Sequence, residues 1–85
     1  MSDEKNMMPE QCRAARGLLD WTQAELAEYA RVHPATVRGF ESGTKTPQRA
    51  SVSAMQLAME KRGIAFEVRS GAIGVWLMSP ETPAS

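Results

Sequence analysis

"TQAELAEYARVHPATVRGFESG", residues 22–43, decides the fold. Thr22 followed three residues later by Glu25 is a capping box, in which each side chain satisfies the other residue's free backbone N–H. It starts a helix at Thr22 or Gln23, with Leu26, Ala27 and Ala30 inward, that ends near Tyr29–Arg31. After a three-residue connection, Pro34 suits the first turn of another helix. Val37 and Phe40 lie three apart and face the core together, and Gly43 ends the helix as its C-cap. The stretch is a tight pair of short helices, about 22–30 and 34–42.

The same logic extends outward. Residues 1–8 read as a loose, flexible tail. Pro9 opens a helix to about Leu18, with Cys12, Ala15, Leu18 and Leu19 as its inner stripe and Gly17 weakening its end. Trp21 can staple onto Leu26 or a neighbour. Beyond Gly43 the polar loop "GTKTP" closes at Pro47, and a fourth helix begins within Pro47–Ser51 and runs to Arg62. Val52, Met55 and Met59 repeat at helical spacing, Lys61 and Arg62 suit the negative end of the helix dipole, and Gly63 stops the chain there.

The apolar period then falls from 3.6 to 2. Ile64, Phe66 and Val68 alternate with Ala65 and Glu67; Ile73, Val75 and Leu77 alternate with Gly74 and Trp76. A turn at Ser70–Gly71 pairs Val68 with Ile73, Phe66 with Val75 and Ile64 with Leu77; a turn at Gly71–Ala72 shifts the register by two. Either choice gives a hairpin whose wholly apolar face points to the core, with Trp76 on the other face. Residues 79–85 read as a disordered tail. The organisation expected is a mainly α domain over 9–62, a C-terminal β-hairpin over 63–78, and two tails.

Composition narrows the function. At 85 residues the chain is one domain with a thin core. Its 42% hydrophobic and 24% charged content excludes disorder of the whole chain. Ten basic residues balance ten acidic ones, which argues against a nucleic-acid wrapper but leaves local patches open. From Ser42 to Arg49 there is no acid, while Lys45 and Arg49 are basic. With one histidine and one cysteine, neither a histidine pair nor a cysteine cluster can hold a metal, and no nucleophile–base constellation stands out. Cys12 reads as a buried, inert thiol, and Met55 and Met59 as core filler. With no signal peptide and no long apolar run, a cytoplasmic, membrane-free protein without cofactor is expected.

The pair of helices matches a helix-turn-helix in length and spacing. "TQAELAEYARVHPATVRGFESGTKTP" resembles the lambda-repressor-like, XRE-type helix-turn-helix family of bacterial and phage regulators. The matching positions are Gln23, Leu26, Ala27, Val32, Thr36, Val37, Glu41 and Gly43, with Arg16 in the first helix. The resemblance covers roughly residues 9–62 and implies a compact domain of four to five helices; the hairpin lies outside the common core.

By that resemblance the protein binds double-stranded DNA, with helix 34–42 in the major groove. Pro34, Ala35, Thr36, Arg38 and Gly39 fall at or near base edges, and Arg38 is the only one able to make a bidentate contact to guanine. Gln23, with Thr22 at the same helix end, falls at the DNA backbone, as do Ser42, Gly43, Thr44, Lys45 and Arg49. His33 is either a turn residue or a phosphate contact at a helix N-terminus. Arg16 and Glu41 match a structural ion pair. The usual turn glycine is replaced by Arg31, for which a left-handed conformation costs about 1 kcal/mol. A different turn, or a charge role for Arg31 near the DNA, is therefore open.

Two functions compete. One is a repressor-type transcription factor acting as a homodimer, with Trp76, Val75 and Leu77 as the candidate interface; the bland alternative for Trp76 is that it covers the fourth helix. The other is a protein-interaction module on the same fold, an antitoxin or phage-type adaptor with a protein partner and little or no DNA binding. Neutral charge and the few donors on helix 34–42 favour the second; Gln23 and the basic loop oppose it.

Overall fold

The capping box forms as the residue types require. Thr22 Oγ1 accepts from Glu25 N–H at 3.0 Å and Glu25 Oε1 accepts from Thr22 N–H at 2.8 Å. A computed structural model describes residues 7–78. Its elements in chain order are α1 (Pro9–Leu19), α2 (Gln23–Ala30), α3 (Pro34–Ser42), α4 (Arg49–Glu60), β1 (Ile64–Arg69) and β2 (Ala72–Leu77). These four helices and the two-stranded antiparallel hairpin make a mainly helical fold. No helix among the described residues is long and apolar enough to cross a membrane.

Three helices end in the same way. Asp20, Arg31 and Gly43 each take the left-handed conformation, with φ of 61°, 62° and 78°. After each, the next N–H reaches back five residues: Trp21 to Arg16 O at 2.9 Å, Val32 to Ala27 O at 3.0 Å, and Thr44 to Gly39 O at 3.1 Å. The turn after α2 therefore keeps its usual geometry despite Arg31, and the expectation that it might differ is corrected. The half-buried Val32 behind it packs on the core and holds the turn in place against its local strain.

Leu26, Val37, Met55, Met59, Cys12 and Ala15 are fully buried between the helices. Leu18, expected inward, is 46% exposed. Near the start of α1 Gln11 is buried and hydrogen-bonded: Oε1 accepts from Met8 N–H at 2.8 Å, and Nε2 donates to Glu67 O and Gly74 O at 3.1 and 3.2 Å. Only in this paired state is a buried amide tolerable. Two residues of the loose tail expected over 1–8 are held in place: Met7 is buried and donates its N–H to Gln56 Oε1 at 3.0 Å, and Met8 caps α1. The rest of that tail, and the expected tail at 79–85, lie outside the described residues.

Trp21 packs against the core and stacks on Tyr29, with centroids 4.5 Å apart, and Arg62 lies over both rings at 5.5 and 5.0 Å. This cation–π stack fastens the start of α2 to the end of α4.

The hairpin turns at Ser70–Gly71, both at positive φ, and pairs Val68 with Ile73, Phe66 with Val75 and Ile64 with Leu77. Its apolar face is covered only in part. Ile64 is buried, and Phe66 and Val75 pack on the core, but Val68, Ile73 and Leu77 are exposed. A two-stranded sheet lying against α1 and the end of α4 has no second layer to cover its far end. On the other face Trp76 lies across Gly74, where a β-carbon would come within 2.7 Å of the indole.

The strain at Arg31 is testable. Arg31→Gly should stabilise the domain by about 1 kcal/mol, because glycine takes the left-handed region freely. Urea unfolding at neutral pH measures it, and an unchanged or lower midpoint would show that Arg31 is not strained.

Candidate DNA interface

α2 and α3 pack against one another, and the loop after α3 folds back over α3. An open depression of about 510 Å³ lies on the surface so formed. It is lined by Gln23 from α2, by Ala35, Arg38, Gly39 and Ser42 from α3, and by Thr44 and Lys45 from the loop. The four α3 residues are spaced three and four apart, so they form one stripe down the helix.

Among the residues assigned to base edges, Arg38 is exposed, Ala35 half-buried, and Gly39 buried beneath the Lys45 side chain. Gly39 nonetheless lines the depression. Pro34 sits exposed in the first turn, and Thr36 is half-buried off the depression.

The residues assigned to the backbone divide into two groups. Gln23, Ser42, Thr44 and Lys45 line the depression, with Ser42 Oγ and Thr44 Oγ1 2.8 Å apart. Thr22, His33 and Gly43 terminate helices, and Arg49 is exposed at the start of α4. His33 Nδ1 accepts from Ala35 N–H at 3.0 Å. That bond fixes the neutral ring's proton on Nε2, leaving one outward donor beside the N-terminus of α3.

Beneath the depression lies a buried carboxylate. Glu41, 3% exposed, accepts from Arg16 Nε and Nη2, both at 2.7 Å, from Gln23 Nε2 at 3.0 Å and from Cys12 Sγ at 3.0 Å. Arg13 donates to the Glu41 carbonyl. Burial alone would raise the Glu41 pKa, but the bonds from Arg16, Cys12 and Gln23 outweigh it and hold the carboxyl below its usual range. Burial, and then the bond to Glu41, push the Cys12 thiol far above its ordinary value. The bond to Glu41 raises the Arg16 guanidinium further.

The sequence alone does not place Cys12 and Gln23 at this carboxylate, or Arg13 at the Glu41 carbonyl. The available signal was spacing: Cys12 and Arg16 are four apart, hence on one face of α1. Gln23, read as a phosphate contact, has one amide N–H committed inward, so what it offers outward is the rest of its amide and the backbone of the first turn of α2.

A family model described as helix-turn-helix matches residues 13–61, more than half of the chain. No curated protein matches it.

Because the folded-state pKa of Glu41 is depressed, the pair stabilises the fold above the unfolded carboxyl value of about 4.3, and that stability is lost as pH falls through the lower folded value. Glu41→Gln should cost roughly 2 kcal/mol at neutral pH, since it leaves a half-buried guanidinium without its counter-charge. It should also flatten the acid limb of the stability curve. Denaturant melts from pH 7 down to pH 3 measure both, and a parallel acid limb would mean that Glu41 is not the titrating group.

Proposed function

The chain belongs to the XRE or lambda-repressor-like helix-turn-helix family of DNA-binding transcription regulators, and on that premise we propose that it is a sequence-specific repressor-type regulator that seats α3 in the major groove. The observation that carries this reading is the depression, whose seven lining residues come from α2, α3 and the following loop and hold two cations, Arg38 and Lys45. No acid lines it, because Glu41 is buried behind it and neutralised by Arg16. A phosphate meets the first-turn N–H groups of α2 and the hydroxyls of Ser42 and Thr44 in the loop after α3. Arg38 then reaches a guanine edge.

A single domain reads few base pairs, so we propose a homodimer on a two-fold site, joined through the hairpin. Support comes from the apolar side chains left open there: Ile73, Leu77, Val68 and Trp76, the last 50% exposed. Val75 packs against the core, which leaves Trp76 and Leu77 as the exposed candidates.

Arg38→Ala should weaken binding to a selected site by about tenfold or more, with little change on random duplex. Arg49→Ala should weaken both and reduce the salt slope by about one. Equal losses from Arg38→Ala on both DNAs would make it a phosphate contact. A parent protein with no salt-dependent DNA binding would favour an interaction module on the same fold.

The dimer has its own test. Trp76→Asp should shift the sedimenting species to half its mass without lowering helicity. An unchanged mass would remove the hairpin from the interface.

A further inference from the structure

We propose that Lys45, a loop residue, is a second base-reading side chain, and that Gly39 is the seat that holds it on the recognition helix. The inference rests on the major-groove reading above and sharpens it at one residue.

Gly39 lies on the solvent stripe of α3 between Ala35 and Ser42, yet it is buried. Lys45 covers it. A β-carbon at position 39 would lie 2.9 Å from Lys45 Cβ, 2.8 Å from Cγ and 3.0 Å from Cδ. The aliphatic stem therefore runs over the helix at the one position where the helix has no side chain of its own. The backbone fixes this course: the N–H groups of Thr44 and Lys45 both donate to Gly39 O, at 3.1 and 3.2 Å. Ser42 Oγ donates to the same carbonyl at 3.3 Å.

A lysine serving only as a phosphate contact needs no such seat, because a flexible ammonium finds a phosphate from many directions. A base reader gains from being held, because less side-chain freedom is lost on binding. With its first methylenes fixed against α3, Lys45 delivers three N–H donors to the same depression that holds Arg38. The acceptors that fit are N7 and O6 of a guanine in the major groove. Position 39, which cannot hydrogen-bond through a side chain, thus reads DNA through a residue six places later.

Duplexes selected from random sequence by the parent protein, Lys45→Ala, Lys45→Arg and Gly39→Ala test this, followed by affinities for the selected site and its single-base changes. The parent should prefer guanine at two positions. Lys45→Ala should erase one of them, with a loss of about tenfold or more on the selected site, and keep the Arg38 preference. Lys45→Arg should retain both. Gly39→Ala should erase the same preference as Lys45→Ala, because its methyl group displaces the stem; thermal melts check that it stays folded, and if it does not, the two Lys45 variants decide. An even loss across all sequences with Lys45→Ala, with a salt slope lower by about one, would make Lys45 a phosphate contact and overturn the proposal while leaving the major-groove reading intact. A folded Gly39→Ala that keeps both preferences would overturn the seat. A parent that selects no sequence would sink the major-groove reading itself.

Discussion

The Glu41 carboxylate ties three helices at one point. Arg16 and Cys12 come to it from α1, Gln23 from α2, and Glu41 itself stands near the end of α3. Burying a lone carboxylate costs several kcal/mol, so the arrangement survives only because its lone pairs are taken up by a two-pronged guanidinium, an amide and a thiol. Those partners are directional. They set the angle between α2 and α3, and so the distance from Gln23 to the stripe of Ala35, Arg38 and Gly39. The depression exists because this angle is held.

The same burial resolves an electrostatic difficulty. A chain with no net charge has little long-range pull on DNA. An acid one residue before the loop that meets the backbone would repel phosphate if it were exposed. Glu41 points inward and is matched by Arg16, so the charges left facing out at the depression are Arg38 and Lys45. Local sign matters more than the total at distances near the Debye length.

Much of the fold is legible in short stretches. Thr22 and Glu25, Pro34, Gly43 and the period of two after Gly63 each reflect a local rule, and the positions of α2, α3 and the strands follow from them. What escapes such rules depends on contacts between distant residues. Arg31 and Asp20 are left-handed because the residues after them, Val32 and Trp21, are anchored by packing. Gln11 is buried because Met8 and the hairpin backbone take up its amide, which no apolar period announces. Period two says which side of the hairpin is apolar, but not how far a two-stranded sheet is covered. In the candidate site, every residue lining the depression is one that the family resemblance names. That Lys45 lies over Gly39 is visible in no periodicity, because it joins a loop to a helix face.

The two tryptophans stand in different parts of the molecule. Trp21 is sandwiched with Tyr29 and Arg62 in the helical body, whereas Trp76 lies half open on the hairpin over Gly74. The hairpin meets the body at a junction made by the Gln11 amide and by Ile64, Phe66 and Val75 packing on the core. A segment so joined is able to open as a unit of its own, below the free energy of global unfolding. The chain therefore carries two intrinsic fluorophores that divide it at that junction. Emission from the hairpin would redden as it peels away while the helical body still glows as folded, and cooperativity across the junction becomes an optical quantity.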